Sequence, residues 1–240
     1  MKLNIINMYP DILNLYGDIG NLVSIKQRCL WRNINIKVEN FTIDNEPPIN
    51  DADIILVGGG SDRSHDIVSK HLIKHRTSLA EFIEEDKPIL AICGSYQMFG
   101  ETYSDVNHNN IPCLEIFEIE SISKEERLIG NIMIENNLNL SPKELIGFEN
   151  HGGRTYHNYK ALGNVKVGFG NNGEDKKEGM IYKNFIGSYL HGPILPKNSS
   201  LSDHIILKAL KNKYDINELD KLEDSIEISA HNSIKNKITK

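Results

Sequence analysis

Cys93 stands where an apolar run gives way to small residues, in Ala91-Ile92-Cys93-Gly94-Ser95-Tyr96-Gln97-Met98-Phe99-Gly100. A helix beginning at Gly94 would leave Cys93 at its positive end, where free N–H groups and the macrodipole favour a thiolate over a thiol. That makes Cys93 a candidate nucleophile, set against the ordinary fate of an unpaired cysteine as a small buried hydrophobe. His191, in Gly187-Ser188-Tyr189-Leu190-His191-Gly192-Pro193, ends another strand-like run. It is the candidate general base for Cys93 and the proton donor to a leaving amine; a histidine that merely caps carbonyls is the alternative. The run Gly58-Gly59-Gly60 is no dinucleotide fingerprint, because Arg63 stands where G-x-G-x-x-G needs its last glycine. It suits an oxyanion hole better, with the N–H groups of Gly59 and Gly60 joining that of Gly94 around a tetrahedral intermediate. A plain turn is the other reading.

Two further groups carry chemistry. In Gly147-Phe148-Glu149-Asn150-His151-Gly152-Gly153-Arg154-Thr155-Tyr156-His157, Glu149 and His151 rival the first pair as acid and base. Arg127 and Arg154 could fork onto a substrate carboxylate, or remain solvated surface charges. His71 and His75 are spaced i, i+4 on a helical stretch and could bind metal. No carboxylate or third ligand accompanies them along the chain, so an exposed helix face is expected and no metal site is assigned.

These residues need a scaffold, and the hydrophobic pattern supplies one. Strand-like Lys2 to Met8, a helical Asn21 to Trp31 and strand-like Ile34 to Phe41 open a βαβ unit. Ala52 to Val57 is an apolar run leading into the glycines, and an amphipathic helix to about Asp86 puts Leu72, Leu79, Phe82 and Ile83 on one face. Lys87 to Ile92, behind a proline, reads as a parallel strand buried on both sides. The alternation predicts an α/β fold: a doubly wound, mostly parallel sheet flanked by helices, with a nucleophile elbow and ligands at the carboxyl ends of the strands. Shorter strand-like pieces follow at 114–119, 130–134, 145–148, 165–169, 180–182 and 185–189, and a helix spans about 202–213. The expected division is one domain over 1–213 and a charged tail over 214–240 that reads as a surface helix.

The chain has 240 residues, 27 basic and 33 acidic, for a net charge of −6, and no dense basic run, which argues against a nucleic-acid partner. Its three cysteines, Cys29, Cys93 and Cys113, show no metal-type spacing and suggest a reducing cytoplasm. Asn4, Asn7, Pro10, Asp11 and Asn14 interrupt the first residues as a signal peptide would not allow, and no direct membrane span is expected.

The elbow, the Gly58-Gly59-Gly60-Ser61-Asp62-Arg63 loop and Tyr189-Leu190-His191-Gly192-Pro193 together resemble class I glutamine amidotransferases of the CobB/CobQ, cobyric acid synthase type. Within that type, Asn14 to Asn21, Gly147 to His157 and Leu190 to Asn198 are similar to the GatD family, the glutaminase subunits of lipid II isoglutaminyl synthase. The resemblance covers the chain to about residue 210. It implies that Cys93 attacks the side-chain amide of L-glutamine, that a glutamyl thioester forms, and that ammonia leaves with a proton from His191. It implies Arg127 and Gln97 as substrate-binding residues, Arg127 on the glutamine α-carboxylate. It further implies a heterodimer with a MurT-like, Mur-ligase-type partner. That partner holds ATP and metal, reaches lipid II at the membrane face and amidates the D-glutamate α-carboxylate of the stem peptide to D-isoglutamine, in peptidoglycan synthesis. No cofactor is expected in this chain.

Three departures from the family pattern matter. Most class I enzymes carry an acid two residues after the histidine, but Pro193 occupies that position, which leaves a Cys93–His191 dyad whose acid the resemblance places on an aspartate of the partner. Ser95 stands where the family elbow has glycine. Cys113 and Glu115 replace family glycines, with an effect expected near Arg127. Rival readings are a glutaminase for cobyrinate-type amidation, usually fused to an ATP-using domain, a stand-alone elbow-type cysteine hydrolase, and a non-catalytic docking module, against which the retained Cys93 and His191 argue.

Overall fold

The computed structural model describes residues 1–239, Asp62 without its side chain. The chain opens with β1 (Lys2–Met8), α1 (Ile19–Trp31) and β2 (Asn35–Phe41), the two strands pairing in parallel from Lys2 opposite Asn35 to Met8 opposite Phe41. Next come β3 (Ile54–Val57), α2 (Asp62–Leu72), a 3₁₀ turn at Ile73–His75, α3 (Arg76–Glu84) and β4 (Ile89–Ile92). The single amphipathic helix expected before Asp86 is thus broken in two, although Leu72, Leu79, Phe82 and Ile83 are all buried as predicted. The elbow helix α4 is short, Gly94–Met98.

Then β5 (Thr102–Ser104), β6 (Glu120–Asn136), β7 (Glu144–Tyr156), β8 (Gly163–Val167) and β9 (Lys177–Glu178) build a second sheet. β10 (Met180–Tyr182) and β11 (Phe185–Ser188) return to the first, and α5 (Ile194–Lys197), α6 (Ser199–Tyr214) and α7 (Ser225–Ile238) close the chain. The first sheet runs β10-β11-β4-β3-β1-β2 and is parallel except for the edge strand β10. Every residue of β3 and β4 is buried, as strands covered on both faces require. The carboxyl ends of β1, β3, β4 and β11 gather residues 9–18, the glycine loop, Cys93 and 189–193 on one rim, where ligands bind in open α/β sheets.

The second sheet was only partly foreseen. β6 and β7 form a long antiparallel pair whose register shifts between Ser123 and Leu128, so that residues 124–127 bulge outward. Residues 114–119 are not a strand: Leu114 N–H bonds Met98 O and Phe117 N–H bonds Phe99 O, using the end of α4 rather than a ladder. The sheets meet where Phe148 and His191 exchange backbone hydrogen bonds of 3.2 and 2.7 Å.

The tail folds back onto the body. Arg28 on α1 pairs bidentately with Asp203 on α6 and with Asp224 just before α7, and Arg32 joins Asp203. Buried His231 on α7 bonds Lys197 O at 2.9 Å, and Lys235 pairs with Glu144. Among the described residues, no helix is long and apolar enough to cross a membrane.

Candidate active site

The backbone at Cys93 is forced by the strand-to-helix turn: φ is 57° and ψ −120°, a conformation that L residues adopt only under constraint and that costs on the order of 1–3 kcal/mol. β4 fixes it from one side, and a bond from Cys93 N–H to Ser188 O at 2.8 Å fixes it from another. The turn presents the sulfur at the start of α4, as a nucleophile elbow does. Ser95, the departure from family glycine, donates its hydroxyl to Gly58 O at 2.5 Å and so clips the elbow to the glycine loop.

His191 arrives from β11 and is fully buried beside Cys93. At Gly59 the backbone lies so close that a Cβ would stand 2.7 Å from His191 Cε1 and 3.3 Å from Cys93 Cβ. Glycine is therefore required there. The chain also supplies an acid, which corrects the expectation that none of its own faces His191. Asp18, in the loop after β1, puts Oδ2 3.7 Å from His191 Nδ1. Asp18 is buried, and its Oδ1 has no hydrogen-bond partner in the protein. Burial alone would lower the His191 pKa, but the Cys93 sulfur and then Asp18 outweigh it and hold the imidazole charged, with its pKa raised to about 10. Tyr16 of the same loop leans on the His191 ring at 4.7 Å, and Pro193, in the position of the usual acid, packs on Gly20 instead.

Two of the three amides expected to hold an oxyanion are engaged. Gly59 N–H bonds Asp18 Oδ2 at 2.7 Å, and Gly60 N–H bonds His65 Nε2 at 3.2 Å. Gly94 N–H, in the first turn of α4, has no acceptor within its helix. His65 was not foreseen. It is buried on α2, a Cβ at Gly94 would overlap its ring, and burial, followed by His191, pushes its pKa down to about 4. A neutral ring is what accepting from Gly60 demands.

The remaining candidates divide sharply. Gln97, one turn after Cys93, is buried with its Nε2 unpaired and pressed toward Gly153. Arg127 lies exposed on the β6 bulge, with Nε on Asn150 Oδ1 and a terminal nitrogen on Asn150 O, both at 2.7 Å. Arg154 is no carboxylate clamp: its buried guanidinium bonds the carbonyls of Gly152 and Glu126 and shapes the bulge. Glu149 and His151 are likewise occupied elsewhere. Glu149 accepts from Phe169 and Gly170 N–H, while His151 bonds Gly153 O and stacks on Tyr189. Glu115 pairs with Arg76, not with anything beside Arg127. The sequence singled out the stretch Asn14 to Asn21 without giving Asp18 a role and held no local signal for His65, because nothing in residue order shows that 18, 65, 93 and 191 converge.

Residues 4–199 match the family model of the CobB/CobQ-like glutamine amidotransferase domain. The chain belongs to that family. As a glutamine amidotransferase it is 43% identical over 229 residues to the glutamine-hydrolysing lipid II isoglutaminyl synthase subunit GatD of Staphylococcus aureus, covering 95% of this chain and 93% of that one. It is 36% identical to the GatD subunit of Streptococcus pneumoniae, over 89% of this chain and 82% of the relative. The fold is shared with a glutamine amidotransferase of Thermotoga maritima, at a TM-score of 0.54, 15% identity and coverage of 99% and 92% of the two chains. Elbow, histidine and glycine loop therefore sit in the architecture of a glutamine amidotransferase.

Proposed function

We propose that the chain is the glutaminase subunit of a two-protein ligase: it hydrolyses L-glutamine and passes ammonia to an ATP-dependent, MurT-like partner that amidates the D-glutamate α-carboxylate of the lipid II stem peptide. Cys93, held at φ 57° on the elbow with the buried imidazole of His191 beside it, is the observation that carries the reading. The Cys93 thiolate adds to the glutamine side-chain carbonyl, and Gly94 N–H helps hold the oxygen that becomes negative. His191 gives its proton to the leaving nitrogen, the C–N bond breaks, and ammonia and a glutamyl thioester result. His191, now neutral, takes a proton from water as the water oxygen attacks the thioester, and glutamate and the thiolate are restored. Asp18 steadies the imidazolium between these steps. Its bond to Gly59 N–H competes with an oxyanion for that amide, so turning Gly59 toward substrate would free both the donor and the carboxylate.

Arg127 grips the α-carboxylate and Gln97 the polar end of glutamine. The partner carries ATP and metal, reaches lipid II from the cytoplasm, and adds an aspartate behind His191 where Asp18 alone does not suffice. Similarity to subunits named for lipid II isoglutaminyl synthase over nearly the full chain supports this assignment over cobyrinate-type amidation. The in-chain carboxylate favours a second reading, hydrolysis without a partner. Glutamate release is measured for the chain alone, with the partner, and as Cys93→Ala. Release that needs the partner and vanishes in the variant is expected, full release by the chain alone supports the autonomous reading, and an active Cys93→Ala chain overturns both.

A further inference from the structure

Away from the active-site rim, α2 and the 3₁₀ turn after it bring the rings of His71 and His75 together with a 5.4 Å centroid separation. The carboxylate missing from the linear pattern comes from the loop between β2 and β3: Glu46 sets Oε1 3.0 Å from His71 Nε2 and Oε2 3.3 Å from His75 Nε2. One atom from each of the three lies within 4.8 Å of the others, and among the described residues no other His, Cys, Asp and Glu group is gathered this way. We propose that Glu46, His71 and His75 bind one divalent transition-metal ion, zinc foremost, with solvent completing its coordination.

The spacing suits such an ion. Bonds of about 2.0 Å in a tetrahedron hold ligand atoms roughly 3.3 Å apart, close to the two distances given. His71 Nε2 hydrogen-bonds Glu46 Oε1, whereas His75 Nε2, buried and 3.3 Å from Oε2, has no hydrogen-bond partner, so an ion would replace the proton shared by the first pair and engage the free nitrogen of the second imidazole. His71 is buried, and its other ring nitrogen is tied to the hydroxyl of fully buried Tyr9 at 2.9 Å. A second partner of this kind orients a metal-binding imidazole and fixes its tautomer. Phe41 packs edge-on against His75 at 4.9 Å and forms an apolar wall, while Glu46 remains 44% exposed and gives an ion its way in. Two imidazoles and one carboxylate suit zinc and its borderline neighbours, not calcium or magnesium.

The consequence is mechanical and does not depend on the glutaminase reading. α2 carries His65, which packs on Gly94 and bonds Gly60, so an ion would anchor that helix to the ends of β1 and β2.

The test uses the full chain with Cys93→Ser, which removes the competing active-site thiolate, stripped with a chelator and titrated with zinc by calorimetry. Cobalt(II) then serves as a spectroscopic probe. We expect one equivalent bound at micromolar affinity or tighter, a visible d–d band with no thiolate charge-transfer band, and a melting temperature that zinc raises. His75→Ala and Glu46→Gln, both changed at partly exposed side chains, should weaken binding by about tenfold or more, and Tyr9→Phe by about tenfold. Zinc binding that His75→Ala leaves unchanged, a thiolate band, or no saturable binding overturns the proposal.

Discussion

Among the described residues, two buried histidine–carboxylate pairs stand at the same separation, and only one of them faces a nucleophile. His191 Nδ1 is 3.7 Å from Asp18 and His151 Nε2 is 3.7 Å from Glu149. Burial pushes the His151 pKa down, and Glu149 and the Gly153 carbonyl do not restore it, with Arg154 opposing them. For His191 the same burial is overcome by Cys93 and Asp18. Glu149 differs from Asp18 in what else it does: both its oxygens accept backbone N–H groups, whereas Asp18 keeps Oδ1 unpaired. Residue type and distance do not make a catalytic pair. The surroundings of each group decide.

The sharpest way to break this comparison is to remove each histidine. His191→Asn should lower glutamine hydrolysis by about 10³-fold, the scale of lost acid–base catalysis, with little change in melting temperature. His151→Asn should leave kcat within a few-fold and lower the melting temperature, because it disturbs the Tyr189 stack and the Gly153 contact. Equal losses of kcat would mean that both pairs act in the reaction.

The acids give a smaller contrast. Asp18→Asn preserves an oxygen for Gly59 N–H and removes only the charge, so kcat should fall about 10- to 100-fold, within the range of acid–base effects, and the His191 pKa measured by NMR should drop. Glu149→Gln weakens two charge-assisted bonds and should cost about 1–3 kcal/mol in chemical denaturation, with hydrolysis by the folded fraction preserved. An Asp18→Asn enzyme of full activity would assign the orienting acid to the partner. Below these in effect, Arg127→Ala should raise KM about tenfold with a smaller change in kcat, the signature of lost ground-state binding.

Why one pair was readable from sequence and its context was not follows from what each residue advertises. Cys93 and His191 end apolar strands, β3 and β4 are continuous hydrophobic runs, and β1 carries Leu3, Ile5, Ile6 and Met8, so the first sheet and its rim were legible. The second sheet hides its pattern: Lys124, Glu125, Glu126 and Arg127 interrupt β6 because they form a bulge, not because the strand ends. Residues 114–119 bury Leu114, Phe117 and Ile119 like a strand but pair with the end of α4. Asp18 and Glu46 lie in polar loops where an acid needs no explanation, and only the fold brings them to their histidines.

Glu178 lies behind the division between the two pairs, and its effect falls on stability rather than on rate. Its Oε1 accepts from Ser188 Oγ at 2.7 Å and from Tyr189 N–H at 2.9 Å, holding the strand that ends at His191 and carries the ring stacked on His151. It is fully buried, and its Oε2 has no partner in the protein. Burial, opposed by those two bonds, raises its pKa from 4.5 to about 7. The fold therefore favours the protonated carboxyl. Its contribution to stability is complete below pH 4.5 and is lost as pH rises through about 7, a swing on the order of 3 kcal/mol. Glu178→Gln retains the acceptor and cannot ionise, so the difference in unfolding free energy between variant and parent should be small below pH 4.5, should grow in the variant's favour as pH rises to about 7, and should level off above that. A difference that does not change with pH would show that Glu178 titrates alike in the folded and unfolded chain, and that the strand leading to His191 is held by a carboxylate at neutral pH.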